Sequence, residues 1–255
     1  MRVGFIGSGN MAVAMARGWA RADGGPDRML FTDLDAARAE ALAAEVGGEA
    51  IGSIAELAEQ SDLAVLAVKP GALEDVAAEG QAAGAVLSLL GAVPVQRVAE
   101  AFPEAAVVRV MPNQPVAVGR GVLCYSAAEA TPQEVDREVR ALLELLGRVV
   151  DVEDELFDAA TALSGCSPAY LALVVSKIAE AGAADGLDSE LALSLMIDTA
   201  AGTAELLRHR DPVDVIRAVA SPGGSTEAGL AALDREGAAG AFAAAVRASL
   251  ERMRG

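Results

Sequence analysis

The stretch that decides the fold is RVGFIGSGNMA, residues 2–12. A short apolar run ends in a glycine-rich turn that opens a helical segment, and this order predicts a strand, a tight turn and a helix. Gly7 permits the turn, Gly9 lets the backbone approach a pyrophosphate, and the small side chain of Ala12 allows close helix packing. We therefore expect a dinucleotide site, with a ligand-free glycine turn as the alternative, at Gly7, Ser8, Gly9, Asn10, Met11 and Ala12.

The rest of the first half alternates short β-branched runs with alanine-rich helical stretches. Such an alternation is typical of an α/β fold with a doubly wound, mostly parallel sheet. We expect a Rossmann-type domain over residues 1–152. Its predicted strands are Arg2–Ile6, Met29–Asp33, Leu63–Val68, Ala85–Leu90, Val107–Val110, Val122–Tyr125 and Arg148–Val152.

The second half, from about Glu153, has no strand patterns, and apolar residues recur there at helical spacing. We expect an all-helical domain over residues 153–255. Long alanine-rich helices such as Leu191–Leu207 carry more hydrophobic surface than a layer of about a hundred residues buries by itself. This surface predicts dimerisation through the second half, and packing on the first domain is the alternative.

Composition and charge limit the class of protein. The chain has 255 residues, 53% of them hydrophobic, and a formal net charge of 20 − 37 = −17. Such a charge repels nucleic acid and acidic membrane surfaces. Apolar runs such as Leu63–Val68 are shorter than the roughly 20 residues of a membrane helix, and the N-terminus does not resemble a signal peptide. We expect a soluble, cytoplasmic protein without nucleic-acid or membrane partners.

Few residues in the chain suit metal or acid–base catalysis. Cys124 and Cys166 are too few for a disulfide framework, and no group of His, Cys and carboxylates has metal-ligand spacing. His209 is the only histidine, and it lies between two arginines where a helix is expected to end. We expect no metal and no histidine catalysis.

Asp33 ends the second predicted strand, about 20 residues after the glycine turn. An acidic side chain there accepts hydrogen bonds from the adenosine ribose hydroxyls, and its charge repels a 2′-phosphate. This chemistry favours NADH over NADPH, although Arg38 on the following helix offers a cation for a phosphate. Helix N-capping is the alternative role of Asp33.

Further candidates follow other strands and open two helices. Val68, Lys69 and Pro70 stand at the carboxyl end of the third predicted strand, the sheet edge where ligands bind, although a surface lysine is the alternative there. Asn113 lies between two prolines, in a rigid turn that points it toward a nicotinamide or a substrate. The turns 164–170 and 221–226 offer small residues and free amides at helix starts, which suit a carboxylate or ordinary capping.

Together these motifs resemble the pyrroline-5-carboxylate reductase family. The likeness covers nearly the whole chain and rests on GSGNMA at 7–12, AVKP at 67–70, RVMPN at 109–113, DAATALSG at 158–165, PAY at 168–170 and SPGGST at 221–226. The resemblance implies a Rossmann domain followed by a helical domain that interleaves with its partner in a dimer, or in a ring of dimers. It also implies reduction of the small imino acid 1-pyrroline-5-carboxylate to proline with NADPH or NADH.

The resemblance also implies site residues. A cradle for the substrate carboxylate is expected at Ser221, Gly223, Gly224, Ser225 and Thr226. Thr226 is expected to be catalytic, hydrogen-bonded near the ring nitrogen. The cofactor is expected on the glycine turn and on Asp33, Val68, Lys69, Pro70 and Asn113. Because a protonated imine is already electrophilic, the reaction needs no strong protein acid.

The chain departs from the family pattern at three places. Cys166 and Ser167 bring a thiol and a bulkier side chain into a turn that normally needs a glycine, which favours a related cyclic imine as an alternative substrate. Gln114 replaces a usual threonine. Asp33 and Leu34 stand where many relatives carry Asn-Arg for the 2′-phosphate, which strengthens the preference for NADH. A catalytically silent cofactor-binding paralogue is the remaining alternative.

Overall fold

The chain forms two compact units. The computed structural model describes residues 1–81 and 83–254. The first unit holds residues 1–166 together with the last residues from Leu250, and the second runs from Ser167 to Ser249.

The first unit is built on one eight-stranded sheet with the order β3-β2-β1-β4-β5-β6-β7-β8. Only β6 and β7 pair antiparallel; the other neighbouring strands are parallel. The predicted mostly parallel sheet is confirmed. Its strands are β1 (Arg2–Ile6), β2 (Arg28–Thr32), β3 (Glu49–Ala50), β4 (Leu63–Leu66), β5 (Ala85–Ser88), β6 (Ala106–Met111), β7 (Gly121–Ala127) and β8 (Gly147–Asp151).

Seven helices accompany the sheet in the described part of this unit: α1 (Asn10–Arg21), α2 (Ala36–Val46), α3 (Ile54–Gln60), α4 (Leu73–Glu79), α5 (Val95–Ala101), α6 (Gln133–Glu144) and α7 (Phe157–Ser164). Short 3-10 turns lie at Pro70–Ala72, Gln114–Val118 and Asp154–Leu156. Buried residues of α1, α2 and α6 share one core, and those of α3, α4 and α5 share a second. Both faces of the sheet are therefore covered, as in a doubly wound fold.

β1 shows how the sequence builds these two cores. Successive strand residues point to opposite faces, so Phe5 belongs to the core beneath α1 and Ile6 to the other. Phe5 packs against Phe31, with ring centroids 5.2 Å apart, and against Trp19 on α1. The Trp19 indole donates to the backbone oxygen of Leu142 at 2.9 Å, so α1 is also fastened to α6.

The strand order reverses between the neighbouring strands β1 and β4. After β1 the chain continues to β2 on one side of this pair, and after β4 it continues to β5 on the other side. In open α/β sheets a ligand crevice forms at this reversal, outside the carboxyl ends of the strands. The turn after β1 and the segments after β2 and β4 all begin at this edge.

The second unit is helical in its described residues, as predicted. It contains α8 (Ser167–Ala184), α9 (Ser189–Leu206), α10 (Pro212–Val219), α11 (Ser225–Arg235) and most of α12 (Ala238–Arg254). Only Ala179 and Ala192 are buried hydrophobics among the residues described in this unit. Its exposed apolar side chains include Leu171, Leu173, Leu191, Leu195, Ile197, Val213, Ile216 and Phe242.

Two features differ from the sequence-based expectation. The two-residue strand β3 carries no apolar pattern, because both of its residues are exposed at the sheet edge. In addition, the helical stretch 154–184 is long and apolar enough to cross a membrane by length and composition, and only 6% of its 18-residue apolar window is buried. The sequence analysis expected no segment of this kind, and the described part of the chain contains one candidate.

Candidate active site

The glycine turn after β1 has the geometry that its sequence predicts. Gly7 adopts φ +99°, and a Cβ there would lie 2.6 Å from the backbone oxygen of Ala67. Only glycine fits such a position without strain. A Cβ on Gly9 would meet no heavy atom within 4 Å, so this glycine borders open space that a ligand is free to occupy. Ala12 is fully buried, which lets α1 approach the sheet closely.

The N-terminus of α1 has backbone amides that no side chain of the helix caps. Gly9 is its N-cap, no side chain caps the helix, and its first turn holds no acidic residue. The Ser8 hydroxyl is buried without a hydrogen-bond partner in the described chain. Unpaired amides and an unpartnered hydroxyl suit the oxygens of a pyrophosphate. The residues present therefore fit a dinucleotide.

Asp33, directly after β2, binds the same turn. Its carboxylate accepts hydrogen bonds from the Ser8 backbone nitrogen at 2.6 Å and from the Asp35 backbone nitrogen at 3.0 Å. The N-cap of α2 is Asp35, which accepts from the nitrogen of Ala37. Asp33 is therefore not the cap of this helix, and its contact with the turn was not predicted. The Arg38 guanidinium donates to the Ser8 carbonyl oxygen at 3.3 Å.

The segment after β4 contributes an exposed lysine. β4 ends at Leu66, and the backbone oxygen of Lys69 accepts a hydrogen bond from Ala72 as the chain enters the turn Pro70–Ala72. The Lys69 side chain is exposed. Val68 lines a cavity of about 320 Å³ together with Asp33 and Leu34. Val68 and Asp33 therefore border one space, next to the turn that holds Lys69.

Asn113 is buried and engaged at both ends of its side-chain amide. Its Nδ2 donates to the carbonyl oxygen of Ser164 at 3.0 Å, and its Oδ1 accepts from the Val122 nitrogen at 2.9 Å. The side chain thus fastens the end of α7 to β7. One amide hydrogen and one lone pair stay available for a ligand.

Arg109 is a second residue that attaches α7 to the sheet. The sequence analysis did not predict this role. It is buried, and its guanidinium donates to Asp154 at 2.7 Å and stacks 4.1 Å above the ring of Phe157. The segment 109–113 therefore holds α7 near its beginning through Arg109 and at its end through Asn113. A buried guanidinium needs such partners, but a tertiary contact 45 residues away leaves no local sequence signal.

The turn 221–226 lies in the second unit and opens α11. Gly223 adopts φ +72°, Gly224 is the N-cap, and no side chain caps the helix. The Glu227 carboxylate accepts a hydrogen bond from the Gly223 nitrogen at 2.8 Å. The protein's own carboxylate therefore occupies one of the amides expected to bind a substrate carboxylate. Sequence reasoning missed Glu227, although a glutamate at the third helical position is a known capping signal.

The backbone at Cys166 and Ser167 does not require a glycine. Among the described non-glycine residues only Ala92 has a positive φ, so neither residue requires the left-handed backbone. The expectation that this turn needs a glycine is therefore wrong, because the chain passes from α7 to α8 with ordinary backbone angles. The Cys124 thiol lies 3.6 Å from the Ser164 hydroxyl.

Two other polar groups have structural partners or surface positions. The Tyr125 hydroxyl donates to Asp136 at 2.5 Å, and burial, followed by this hydrogen bond, raises the pKa of Tyr125 far above its ordinary value. The hydroxyl therefore stays protonated near neutral pH and keeps its hydrogen bond to Asp136. His209 is exposed, 3.6 Å from Glu205. The described residues contain no group of three His, Cys, Asp or Glu side chains that could hold a metal ion.

The expected cofactor-side residues all belong to the first unit, and those of the substrate cradle, Ser221 to Thr226, belong to the second. Within the first unit, Ser8 and Asp33 are joined directly by a hydrogen bond. Within the second unit, the cradle residues form one continuous turn.

Comparison with known families gives two matches. A family model described as pyrroline-5-carboxylate reductase dimerisation matches residues 154–255. A model described as NADP oxidoreductase, coenzyme F420-dependent, matches residues 2–90.

Curated relatives match over the full length. A pyrroline-5-carboxylate reductase of Synechocystis is 36% identical and covers 99% of this chain and 97% of its own length. One of Aquifex aeolicus is 34% identical over 93% of this chain and 90% of its own.

Solved structures agree with these relatives. The 1-pyrroline-5-carboxylate reductase of Streptococcus pyogenes superposes with a TM-score of 0.90 at 29% identity, covering 99% of this chain and 98% of its own. The pyrroline carboxylate reductase of Plasmodium falciparum, with NADP bound, gives a TM-score of 0.87 at 27% identity, covering 99% and 97%.

Proposed function

This chain belongs to the pyrroline-5-carboxylate reductase family, and from that membership we propose that it reduces 1-pyrroline-5-carboxylate to L-proline with NAD(P)H. The enzyme is an oxidoreductase that acts on a CH–NH bond. The observation that carries the proposal is a pair of helix N-termini without side-chain caps, one after Gly9 and one after Gly224. Each suits an anion, and the reaction transfers a hydride between two anionic molecules.

The nicotinamide, when bound, supplies the hydride that reduces the C=N carbon. The residues of the turn 7–12 hold the pyrophosphate through backbone amides, and the Ser8 hydroxyl is available as a further donor. Asp33 accepts from the ribose hydroxyls while keeping the turn in place. Val68, Lys69, Pro70 and Asn113 border the remainder of the cofactor. Catalysis is then mostly the positioning of two molecules.

The cradle acts on the imino acid. The turn of Ser221, Gly223, Gly224 and Ser225 holds its carboxylate. The Gly224 amide closes this turn by donating to the Ser221 carbonyl oxygen at 2.9 Å, and Glu227 releases the Gly223 amide when the substrate binds. The ring N–H of the protonated imine donates to the Thr226 hydroxyl oxygen, so the proton stays on the nitrogen while the hydride adds to the carbon. The chain supplies no strong acid because the protonated imine is already electrophilic.

The proposed cofactor preference is NADH. Asp33 bears a charge at the ribose position, and Leu34 is a fully exposed apolar side chain where a cation would be needed for a 2′-phosphate. The change Asp33→Ala with Leu34→Arg is expected to move the preference toward NADPH.

We propose that residues 153–255 act as the substrate-binding and dimerisation half, and residues 1–152 as the dinucleotide-binding half. The second unit buries only Ala179 and Ala192 among its described hydrophobic residues, so its exposed apolar helices need a partner surface. A homodimer, alone or in a ring of dimers, covers them with a second copy. The apolar stretch 154–184 then lies against protein, which agrees with a cytoplasmic enzyme.

The test is steady-state oxidation of NADH and NADPH with 1-pyrroline-5-carboxylate and, in parallel, with a six-membered cyclic imino acid. We expect turnover with the five-membered substrate and a higher kcat/KM with NADH. Turnover of the six-membered ring alone would contradict the proposed substrate and indicate a reductase of a related cyclic imine. Cofactor binding without turnover of either ring would indicate a silent paralogue.

A further inference from the structure

Two cavities flank Asp33 at the carboxyl end of β2. The larger, of about 320 Å³, extends from Thr32 and Asp33 to α4, and the smaller, of about 160 Å³, extends from Asp33 along α2 to Gly52. Both are lined by Asp33 and Gly52. Since an acidic residue at this strand end binds the adenosine ribose, a 2′-substituent enters this region.

The walls of these cavities carry one sign of charge. Asp75 and Glu79 on α4 line the larger cavity, and Glu40 on α2 lines the smaller. With Asp33 they make four carboxylates. No lysine, arginine or histidine is among the described residues that line either cavity.

Two nearby arginines are engaged elsewhere: the Arg38 guanidinium donates to the Ser8 carbonyl oxygen, and Arg97 pairs with Glu74. Lys69, in the turn before α4, is exposed and lines neither cavity. Within the described residues no salt bridge reaches Glu40, Asp75 or Glu79. No described ion pair therefore neutralises these three exposed carboxylates, and solvent screens their field in the cavities.

We propose that Glu40, Asp75 and Glu79 act with Asp33 to exclude a 2′-phosphate, so that α2 and α4 select the cofactor together with the strand end. This inference rests on the proposed function. A 2′-phosphate brings between one and two negative charges at neutral pH. The pyrophosphate common to both cofactors is held apart, on the uncapped amides of α1, so the repulsion discriminates between them.

One consequence concerns the exchange at Asp33 and Leu34. Replacing both leaves Asp75 and Glu79 on the wall of the larger cavity and Glu40 on the wall of the smaller. The exchange is therefore expected to reduce discrimination against NADPH without reversing it, and adding Asp75→Asn with Glu79→Gln is expected to complete the reversal.

The experiment measures the Kd of NADH and of NADPH by titration calorimetry, without substrate. The test variant is Asp75→Asn with Glu79→Gln, and its control is Glu59→Gln with Glu104→Gln, which removes the same charge from two exposed positions outside both cavities. We expect the test variant to bind NADPH about threefold to tenfold more tightly and NADH within about twofold, with a gain that shrinks as salt is added. The control is expected to keep the wild-type ratio of the two constants.

An unchanged Kd ratio in the folded test variant, or an equal change in the control, would overturn the inference. Thermal melting establishes that each variant is folded, and Glu40→Gln offers an independent variant on the opposite wall. Failure of the proposed function is recognised by a separate measurement. A wild-type protein that binds cofactor but turns over no cyclic imino acid would refute the proposed reaction. The binding constants of the variants would still test the inference.

Discussion

The two turns that we propose to bind anions, Gly7–Ala12 and Ser221–Thr226, differ in how each holds a carboxylate of the protein itself. In both, a helix begins at a glycine without a side-chain cap, and a carboxylate accepts from an amide just before the helix. Asp33 comes from another strand, is half-buried and also holds the Asp35 nitrogen. Glu227 is exposed and four residues from its partner. The first carboxylate is therefore part of the scaffold, and the second is an exposed local partner that a substrate carboxylate can displace from the Gly223 amide.

Gly7→Ala gives the largest expected effect. The new Cβ would lie 2.6 Å from the Ala67 oxygen in a left-handed backbone, so the turn must shift. We expect a loss of about 2–3 kcal/mol in stability and of about a hundredfold in cofactor affinity, measured by denaturant unfolding and calorimetry. Gly9→Ala is the matched control for folding. It meets no atom in the free protein, so it should stay fully stable and lose affinity only. Equal stability losses in both variants would contradict this account.

Thr226→Val tests the turn of the second unit next. It removes the hydroxyl while keeping the branched shape, so we expect kcat to fall about tenfold to a hundredfold with an unchanged Kd for NADH. Thr226→Ser restores a hydroxyl and should recover much of the lost kcat. If the valine variant instead changes only KM, Thr226 binds the substrate without acting on the proton.

Asp33→Asn tests the scaffold carboxylate. An amide has one oxygen for the two backbone nitrogens that Asp33 now serves, so we expect a loss of about 1–2 kcal/mol in stability, seen as a lower Tm. Asp35→Asn is the control, since asparagine is an equally good N-cap and should cost little. The same Tm for both variants would place Asp33 outside the scaffold.

Glu227→Gln gives the smallest expected effect. It tests whether the carboxylate in the second turn is displaceable, unlike Asp33 in the first. A neutral amide competes less strongly than a carboxylate for the Gly223 nitrogen, so the KM for the imino acid should fall about twofold to fivefold while Tm stays constant. Glu236→Gln, at the opposite end of α11, removes the same charge and should leave KM unchanged. A higher KM in the Glu227 variant would make Glu227 a substrate contact and not a competitor.

Much of the fold was predictable because hydrophobic periodicity is local. The strand at Arg2–Ile6 and the helices of the second unit follow directly from it. β3 was missed because Glu49 and Ala50 are exposed at the sheet edge and bury no apolar residue. The positive φ of Ala92 has no sequence signal either, since alanine seldom adopts it.

The candidate site was predictable where glycine geometry and strand ends decide it. Contacts between distant residues were not, because they depend on tertiary packing. The bond from Asn113 to Ser164 spans 51 residues, and the bond from Asp33 to Ser8 spans 25. Glu227 is the exception, since its partner is local and the capping pattern was available in the sequence.

The buried indole of Trp19 gives the protein a natural optical reporter. Trp19 is the only tryptophan of the chain and lies on α1, ten residues after Gly9, about 15 Å along the helix at 1.5 Å per residue. Reduced nicotinamide absorbs where tryptophan emits, so docking at the head of this helix should quench the indole by resonance energy transfer. Cofactor arrival can then be timed in a stopped-flow instrument without any label.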